Sequence, residues 1–392
     1  MRVLAIHSVL WSHYKAAVYT RLYQHARATG EFEFHVLQIA ATEPGRTELG
    51  EADLSQHQYS YDLLFNTSTD KISLKDRTLA LLRGVRRYKP DLIQLNGYYN
   101  PASWAVLVYA KLRGIRVLAE IETTAISRRR VWWKEQLKPV FVRLCDGFLC
   151  LGTAARQYII QLGGAPEKVF TIRNIGVDNE ALDALYRQAL PAREEAKARL
   201  QLPRYNFFFA GRFAPEKNLL FLVKAFAELK RTTPESADWG LILSGNGVQK
   251  ADLEALIRTE AVSDVRMLPP CEWHEVPGRY TLADVMVLPS LFEPFGFAVN
   301  EAMIYGLPVL VSERCGSVPD LIREGVNGYT FNPENVPDLV AKMRLIIQST
   351  DRFAAMGEVS RELIEYFSPD AVHRDLVASF NRFNTHKQSV PA

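Results

Sequence analysis

Short apolar runs alternate along the chain with longer amphipathic stretches, a pattern typical of parallel β-sheets flanked by helices. The first half contains predicted strands at 2–7, 33–39, 91–95, 115–121, 147–151 and 168–172, with helical patterns between them, for example at 75–88, 101–113 and 153–162. The second half contains predicted strands at 206–210, 240–244, 265–268, 285–288, 308–312 and 327–331, again separated by helical patterns. The alternation therefore predicts an α/β protein with two doubly wound domains.

The periodicity is weakest between residues 173 and 204, and we place the domain boundary there. The predicted division is an N-terminal domain over 1–175, a linker or helix over 176–204, and a second domain over 205–368. No strand is predicted after residue 331, where 335–349, 351–366 and 369–384 have helical patterns. The last segment, 369–392, is expected to be a helix and tail that can return to the N-terminal domain.

Length, charge and cysteine usage narrow the class of protein. A chain of 392 residues exceeds the size at which a single core stops growing, which favours two domains. The net charge of +3 is too small to indicate a nucleic-acid partner. No apolar segment approaches the ~20 residues that a membrane span needs, and residues 1–7 are typical of a strand, not of a signal peptide. The four cysteines have no metal-ligand or disulfide spacing, so a cytoplasmic location is expected.

Two carboxylates, Glu293 and Glu301, flank the turn that follows the apolar run 285–288. Gly296 allows that turn, and the helix after it is expected to stop near Gly306. Both carboxylates can face the carboxyl end of the strand, where open α/β sheets bind ligands. Carboxylate oxygens accept hydrogen bonds and suit a ligand rich in hydroxyl groups. From spacing alone, an ordinary turn residue and a solvated helix position explain the pattern equally well.

A second motif follows the predicted strand 206–210, where Gly211 and Arg212 precede Lys217 at the start of a helix. A guanidinium and an ammonium group beside free backbone N–H groups suit a diphosphate. A surface pair that caps the helix is the alternative interpretation.

A third motif, Gly245-Asn246-Gly247, follows the predicted strand 240–244. Glycines there let the backbone approach a ligand closely, although the same residues also form ordinary turns. All three motifs follow strands of one predicted domain, so they can meet on a single ligand.

The order of these motifs, continued by Gly316-Ser317-Val318-Pro319-Asp320 and Gly325-Val326-Asn327-Gly328, resembles the GT-B glycosyltransferases of family 4. The resemblance covers about 205–335 closely, whereas the first half shares only the alternating pattern. It implies the GT-B fold, in which two Rossmann-like domains face a cleft. It also implies a donor site made of Gly211, Arg212, Lys217, Gly245, Asn246, Cys271, Glu293, Phe295, Gly296, Phe297 and Glu301.

The resemblance further implies roles for these residues. Arg212 and Lys217 would hold the diphosphate of the donor and stabilise it as a leaving group. Glu301 would accept hydrogen bonds from the ribose, and Glu293, with backbone N–H groups of 295–297, would bind the transferred sugar. The implied reaction moves a hexose-type sugar, with retained anomeric configuration, from a UDP- or GDP-sugar to a hydroxyl acceptor in polysaccharide, glycolipid or glycoconjugate synthesis. No metal or cofactor is expected, since fixed cations can stabilise the leaving group and no Asp-x-Asp occurs.

The N-terminal domain departs from the family pattern. The loop after the first strand lacks the glycines of many members, and Glu122 occupies the place where a catalytic histidine commonly stands. Either the register differs by a residue or two, or a carboxylate replaces the imidazole, which makes Glu122 a catalytic candidate. His7, Trp11 and Lys15 are acceptor-side candidates, and packing at strand ends is the alternative for His7, Lys15 and Glu122.

The segment Arg128–Lys134 interleaves basic residues with two tryptophans. It is expected to contact an anionic membrane surface, to bind phosphates of a soluble acceptor, or to form a helix whose tryptophans are buried. Two other functions fit the same motifs: a nucleotide-sugar epimerase of GT-B fold, and a non-catalytic nucleotide-sugar-binding subunit.

Overall fold

The computed structural model describes residues 1–11, 13–44, 54–126, 132–172 and 178–384. The chain divides into two compact units. Of the described residues, 1–125, 132–172 and 367–384 belong to the first unit, and 126 and 178–366 belong to the second.

In the described part of the chain, the first unit contains a sheet of seven parallel strands, in the order β3-β2-β1-β4-β5-β6-β7. The strands are β1 (Arg2–Val9), β2 (Glu33–Thr42), β3 (Tyr61–Ser68), β4 (Leu92–Asn96), β5 (Arg116–Ile121), β6 (Gly147–Leu151) and β7 (Val169–Ile172). The chain reverses its direction of winding between β1 and β4. Ligands of such sheets bind outside the carboxyl ends of the strands at this position.

Helices cover both faces of this sheet: α1 (His13–Thr29), α2 (Leu74–Tyr88), α3 (Pro101–Leu112), α4 (Trp132–Leu144) and α5 (Gly152–Gln161). Apolar side chains of α2 to α5 share one buried core, and those of α1 belong to a second core. Leu4 and Ile6 of β1 point into the first core, and Val3 and Ala5 point into the second. Successive side chains of a strand face opposite sides, so the continuous apolar run of β1 reflects burial on both faces.

The second unit contains six parallel strands among the described residues, in the order β10-β9-β8-β11-β12-β13. They are β8 (Tyr205–Ala210), β9 (Trp239–Ser244), β10 (Val265–Leu268), β11 (Val285–Leu288), β12 (Val309–Ser312) and β13 (Gly328–Phe331). The helices are α6 (Asn179–Ala189), α7 (Arg193–Arg199), α8 (Leu219–Thr232), α9 (Lys250–Thr259), α10 (Val276–Tyr280), α11 (Phe297–Ile304), α12 (Val318–Leu321), α13 (Val336–Ile347) and α14 (Phe353–Glu365). The predicted doubly wound α/β class is confirmed for both units.

The last helix, α15 (Pro369–Asn381), packs against α1 and β7 of the first unit. Val372, Leu376 and Phe380 lie in the same buried core as α1. The amide of Asn381 donates a hydrogen bond of 2.9 Å to the Glu31 carboxylate. The expected return of the C-terminal helix to the N-terminal half of the chain is confirmed.

Two features differ from the predicted elements. Strand β3 was not predicted, because it is a half-buried edge strand whose polar residues interrupt the apolar run. The segment 176–204, predicted as a linker or helix, contains α6 and α7, and both group with the second unit. The reason is the amphipathic pattern of α6, whose buried Tyr186 stacks on Tyr305 at 4.6 Å. Among the described helices, none combines the length and apolar character of a bilayer span.

Candidate functional site

The three motifs of the second unit lie at the carboxyl ends of three adjacent strands. Gly211 follows β8, Gly245 follows β9, and Glu293 lies in the loop after β11. Strand β8 is hydrogen-bonded to β9 on one side and to β11 on the other, so the winding direction reverses there. The motifs therefore share the position at which open α/β sheets bind ligands.

The loops after β8 and β9 touch through their backbones. The N–H of Gly211 donates to Ser244 at 3.0 Å, and the N–H of Phe213 donates to Asn246 at 2.7 Å. A Cβ atom on Gly245 would lie 1.9 Å from the Gly211 carbonyl oxygen, and Gly245 has a φ of 146°. Any side chain at residue 245 would clash with the Gly211 backbone, which explains why this position in the turn is a glycine.

Two cations stand beside this backbone contact. Arg212 donates to Glu216 at 3.0 Å, and 67% of its side chain is exposed. Lys217 ends a short turn before α8 and forms a close ion pair with Glu293, to which Ser290 also donates at 3.3 Å. Each cation therefore has a carboxylate partner: the side chain of Arg212 is largely exposed, whereas the pair of Lys217 with Glu293 is mostly buried.

The loop that carries Glu293 is held by the segment after β12. Glu293 pairs with Cys315 as a parallel bridge, and the N–H of Gly316 donates to Glu293 at 3.0 Å. Gly296 precedes α11 with a φ of 93°, and a Cβ there would lie 2.7 Å from the Cys315 sulfur. The buried Cys315 thiol donates to the carbonyl of Phe295 at 2.8 Å. These contacts fix the loop between Glu293 and the first turn of α11.

Glu301 is the fifth residue of α11, and its position depends on a residue that the sequence motifs did not identify. The hydroxyl of Tyr280, at the end of α10, donates to Glu301 Oε2 at 2.9 Å. Tyr280 is fully buried, and its ring packs on Phe208 and Tyr305. Because one carboxylate oxygen is held in this way, the orientation of the other oxygen is also set. No local pattern marked Tyr280, since the contact spans 21 residues.

Cys271 lies in the loop after β10, the edge strand next to β9. Its thiol is half-buried, and burial raises its pKa, although a hydrogen bond with Arg279 acts in the opposite direction. The thiol is therefore a neutral group in the loop after β10.

The edge of the second sheet thus presents two cations, two carboxylates and several tight glycine turns. Cations in this geometry can bind a diphosphate and stabilise negative charge that develops on it. The carboxylates of Glu293, in the loop before α11, and of Glu301, within α11, can accept hydrogen bonds from hydroxyl groups. Arg212, Lys217, Glu293 and Glu301 all belong to this one edge.

The first unit has a different polar cluster, buried at the carboxyl ends of β1, β4 and β5. Lys15 of α1 forms a close ion pair with Glu120 of β5, and 8% and 3% of these side chains are exposed. Gln94 of β4 donates to the second oxygen of Glu120 at 2.8 Å. The Nδ1 atom of His7 lies 2.9 Å from the amide oxygen of Gln38, which can only accept, so Nδ1 carries the proton.

These contacts lower the pKa of two neighbouring groups, which leaves the imidazole of His7 neutral and the carboxyl of Glu120 ionised at pH 7. Burial and the charge of Lys15 lower the pKa of His7 to about 4, so its imidazole is neutral at pH 7. Burial by itself would raise the pKa of Glu120, but the attraction of Lys15 and the hydrogen bonds from Lys15 and Gln94 outweigh it and lower that pKa. The cluster therefore holds one ammonium and one carboxylate that compensate each other.

Glu122 stays a catalytic candidate and lies outside the ion pair of Lys15 with Glu120. It lies just beyond β5 with an exposed side chain, and the carboxylate that contacts Lys15 is Glu120, two residues earlier. Surrounding protein atoms and the charge of Glu120 raise the pKa of Glu122, while Lys15 opposes them, and solvent at the exposed side chain screens these effects. Trp11 lies in the turn after β1, where its N–H donates to Ala41 at 3.0 Å.

A sequence signal for Glu120 exists. It is the one charged residue in the apolar run Val117-Leu118-Ala119-Glu120-Ile121, and a buried charge requires a partner. Of the basic and aromatic segment Arg128–Lys134, residues 128–131 lie outside the described residues. Trp132 is described and is 77% exposed, so its predicted alternative, a buried ring, is wrong.

Comparisons with known proteins agree with this architecture. The family model "Glycosyltransferase Family 4" matches residues 16–180, and "Glycosyl transferases group 1" matches 192–363. The sulfoquinovosyl transferase SQD2 of Arabidopsis thaliana is 28% identical over 302 residues, which are 73% of this chain and 56% of that protein. A D-inositol 3-phosphate glycosyltransferase of Thermobispora bispora is 29% identical over 317 residues, 74% of this chain and 71% of that protein. For the first two curated relatives, the chain spans about half of their length.

Solved structures show the same fold. The Anabaena protein Alr3699/HepE in complex with UDP superposes with a TM-score of 0.75 at 17% identity, covering 97% of this chain and 100% of that one. The sucrose-phosphate synthase of Thermosynechococcus elongatus superposes with a TM-score of 0.73 at 19% identity. The superposition covers 97% of this chain and 99% of that one. The two sheets, their helices and these neighbours define a GT-B protein. With matches to family models in both halves of the chain, it belongs to the glycosyltransferases of family 4.

Proposed function

We propose that the protein is a retaining glycosyltransferase that moves a hexose-type sugar from a nucleotide diphosphate sugar to a hydroxyl acceptor. The observation that carries the proposal is the convergence of Arg212, Lys217, Glu293 and Glu301 at one edge of the second sheet. Solved neighbours of the same fold were crystallised with UDP and with UDP-glucose, which supports a UDP-sugar donor ahead of a GDP-sugar.

In this proposal the donor replaces existing ion pairs. Lys217 leaves Glu293, and Arg212 leaves Glu216, so that both cations bind the diphosphate. The freed Glu293 carboxylate accepts hydrogen bonds from hydroxyls of the transferred sugar. Cleavage of the anomeric carbon–oxygen bond places negative charge on the diphosphate, and the two cations stabilise it. The proposal assigns this stabilisation to fixed cations, so activity is expected to persist in a chelator.

In the proposal, the acceptor hydroxyl attacks the anomeric carbon on the same face from which the diphosphate departs. The anomeric configuration is therefore retained. The departing phosphate oxygen takes the proton of the acceptor hydroxyl as the new carbon–oxygen bond forms. Positive charge that develops on the sugar ring lies near the Glu293 carboxylate. No carboxylate of the chain is assigned as a covalent nucleophile.

The acceptor side is proposed for the first unit, at the carboxyl ends of β1 and β5, where Trp11 and the exposed Glu122 lie. The buried cluster of His7, Lys15 and Glu120 supports these strand ends from inside the unit. A role in polysaccharide, glycolipid or glycoconjugate synthesis is compatible with relatives that transfer sugars to different acceptors, such as inositol 3-phosphate and 2-deoxystreptamine glycosyltransferases. The cytoplasmic location and the membrane contact through Arg128–Lys134 stay predictions.

The proposal is tested by transfer from a panel of UDP- and GDP-sugars to a panel of hydroxyl acceptors. Arg212→Met and Lys217→Met should each lower kcat/KM by roughly 10²–10³-fold, because each removes a charge that stabilises the leaving group. Arg231→Met is the matched control, since Arg231 forms exposed ion pairs with Glu228 and Glu260 in the same unit. Donor binding without any product would indicate a binding subunit. An isomerised nucleotide sugar formed without acceptor would indicate an epimerase.

A further inference from the structure

The loop after β4 contains two adjacent tyrosines, Tyr98 and Tyr99. It begins after Asn96, the last residue of β4, and ends at Pro101, the first residue of α3. Strand β4 lies between β1 and β5, so this loop is at the carboxyl edge of the first sheet, where the winding direction reverses. Open α/β sheets bind ligands at this position. The loop therefore lies between the two strand ends to which the acceptor is assigned.

Tyr99 exposes its ring to solvent in this loop. Among the side chains that the structure describes, three large aromatic ones are exposed: Tyr99 (46%), Trp132 (77%) and Tyr366 (62%). Of these three, only Tyr99 lies in a loop that directly follows a strand. The preceding Tyr98 is 6% exposed and belongs to the buried core. One tyrosine of the pair is thus part of the core, whereas folding leaves nearly half of the other uncovered.

Hydrogen bonds fix the backbone of this loop. The N–H of Gly97 donates to the Glu120 carbonyl of β5 at 3.0 Å. The indole N–H of Trp104, on α3, donates to the Tyr98 carbonyl at 2.9 Å. The Tyr98 hydroxyl lies 2.6 Å from the Thr123 hydroxyl, in the segment after β5. The loop is therefore attached to β5, to α3 and to the segment that follows β5.

A neighbouring ring and a buried lysine hold the side chain of Tyr99. The Tyr98 ring lies 4.9 Å from the Tyr99 ring, centroid to centroid. The ammonium of Lys138 lies 5.5 Å from the centre of the Tyr99 ring, within the range of a cation–π interaction. Lys138 is itself fixed, since it donates to Glu135 at 2.5 Å and to the Tyr158 hydroxyl at 2.8 Å. The exposed ring of Tyr99 is therefore positioned before a ligand binds.

A positioned aromatic ring suits a ligand that has a flat apolar face. The face of an aromatic ring carries partial negative charge, which attracts the weakly positive C–H groups of a ligand. A pyranose or cyclitol ring presents several C–H groups on one face, whereas an open-chain alcohol has no such face. Because the Tyr99 ring is already held, stacking on it costs little further conformational entropy. The exposed Glu122 carboxylate, after β5, can accept hydrogen bonds from hydroxyls of the same ligand.

We propose that the ring of Tyr99 stacks on the acceptor, and that the acceptor hydroxyl belongs to a six-membered saturated ring, a sugar or a cyclitol. The inference rests on the proposed sugar transfer and narrows its acceptor class. It assigns Tyr99 to acceptor binding and not to the chemical step. Loss of the ring should therefore raise the KM for ring acceptors and leave kcat nearly unchanged.

The first measurement is saturation-transfer difference NMR of the full chain, in the presence of UDP, with four probes. Methyl α-glucopyranoside and myo-inositol are rings, and sorbitol and glycerol are open chains. We expect saturation transfer to the C–H protons of the rings and little transfer to the open chains. In titrations, Tyr99→Leu should weaken ring binding by roughly tenfold, and Tyr99→Phe, which keeps an aromatic ring, by less than about twofold.

Tyr366→Leu is the matched control, because it removes another exposed tyrosine and should leave ring binding unchanged. The comparison of ring with open-chain probes uses the wild-type protein, so it is valid even if a variant folds poorly. Equal binding of rings and open chains, no binding of either ring, or unchanged ring binding in Tyr99→Leu would each overturn the proposal.

Transfer kinetics separate this inference from the proposed function. With a donor that is active in the nucleotide-sugar panel, Tyr99→Leu should raise the KM for ring acceptors by roughly tenfold and change kcat by less than about twofold. Transfer to open-chain alcohols at the same kcat/KM as to rings would overturn the acceptor class but not the sugar transfer. Ring binding that depends on Tyr99, without transfer from any donor, would instead refute the sugar transfer and retain the stacking site.

Discussion

The two units each place a lysine and a glutamate in contact at the carboxyl edge of a sheet, but in different surroundings. In the second unit, Lys217 and Glu293 keep 17% and 15% of their side chains exposed, and the neighbouring Arg212 is mostly exposed. In the first unit, Lys15 and Glu120 are almost fully buried, and Gln94 binds the second carboxylate oxygen. The pair in the second unit can exchange partners with a ligand, whereas the pair in the first unit is closed by its own hydrogen bonds.

This difference separates two uses of the same residue types. The exposed ion pair of Arg212 with Glu216 contributes little to stability and can be broken at low cost. A buried pair is costly to break, because removal of one partner leaves an uncompensated charge inside the protein. We therefore expect substitutions in the second unit to act on ligand binding and those in the first unit to act on stability.

The largest effect is expected for Lys15→Met. It leaves the Glu120 carboxylate buried without a counter-charge, and the free energy of unfolding should fall by about 3–5 kcal/mol. Arg212→Met removes an exposed partner and should change that free energy by less than about 1 kcal/mol, although it lowers activity. Denaturant titration of the purified variants measures both values.

The double variant Lys15→Met with Glu120→Gln is the control for this comparison. Glutamine keeps a hydrogen-bonding group beside Gln94 but carries no charge, so more than half of the lost stability should return. A loss below 1 kcal/mol for Lys15→Met, or no recovery in the double variant, would contradict the contrast between the two units.

A second, somewhat smaller effect is expected with pH. The pKa of His7 is lowered to about 4 from an ordinary value near 6.5, so the unfolded chain binds a proton that the folded chain does not. Stability should therefore fall as the pH drops from about 6.5 to about 4, by about 3 kcal/mol. The lowered pKa of Glu120 acts in the same direction at pH values below its unfolded pKa.

Denaturant titration across this pH range, with His7→Asn as the comparison, measures the effect. The amide of asparagine can donate to Gln38 in place of Nδ1 but does not titrate, so the slope of stability against pH between 6.5 and 4 should become shallower. An unchanged slope would show that other groups cause the acid destabilisation.

The two regions also differ in how far the sequence predicts them. The residues of the second site stand in short motifs directly after strands, so local pattern and motif order placed Arg212, Glu293 and Glu301 at one sheet edge. The first cluster joins five separate segments, and the contact of Lys15 with Glu120 spans 105 residues. Periodicity describes the burial of a strand, but it does not say which buried polar groups meet. For this reason the ion pair of Lys15 with Glu120 was not predicted.

The smallest effect is expected at Tyr280, the residue of the second site that no motif marked. In Tyr280→Phe the Glu301 carboxylate loses the hydrogen bond that orients it, at a cost of about 1 kcal/mol. If Glu301 binds the ribose, the variant should bind UDP roughly fivefold more weakly, with 2′-deoxy-UDP and 3′-deoxy-UDP less affected. Isothermal titration calorimetry with these three nucleotides measures the change in discrimination.

Tyr186→Phe is the matched control, because it removes a hydroxyl from another ring of the same aromatic cluster, one that stacks on Tyr305. It should leave the preference for UDP over its deoxy forms unchanged. Glu301→Ala separates the two assignments: if it does not alter that preference, the ribose role of Glu301 is wrong. If Glu301→Ala alters the preference and Tyr280→Phe does not, the carboxylate binds ribose without help from Tyr280, and its orientation is set by α11 alone.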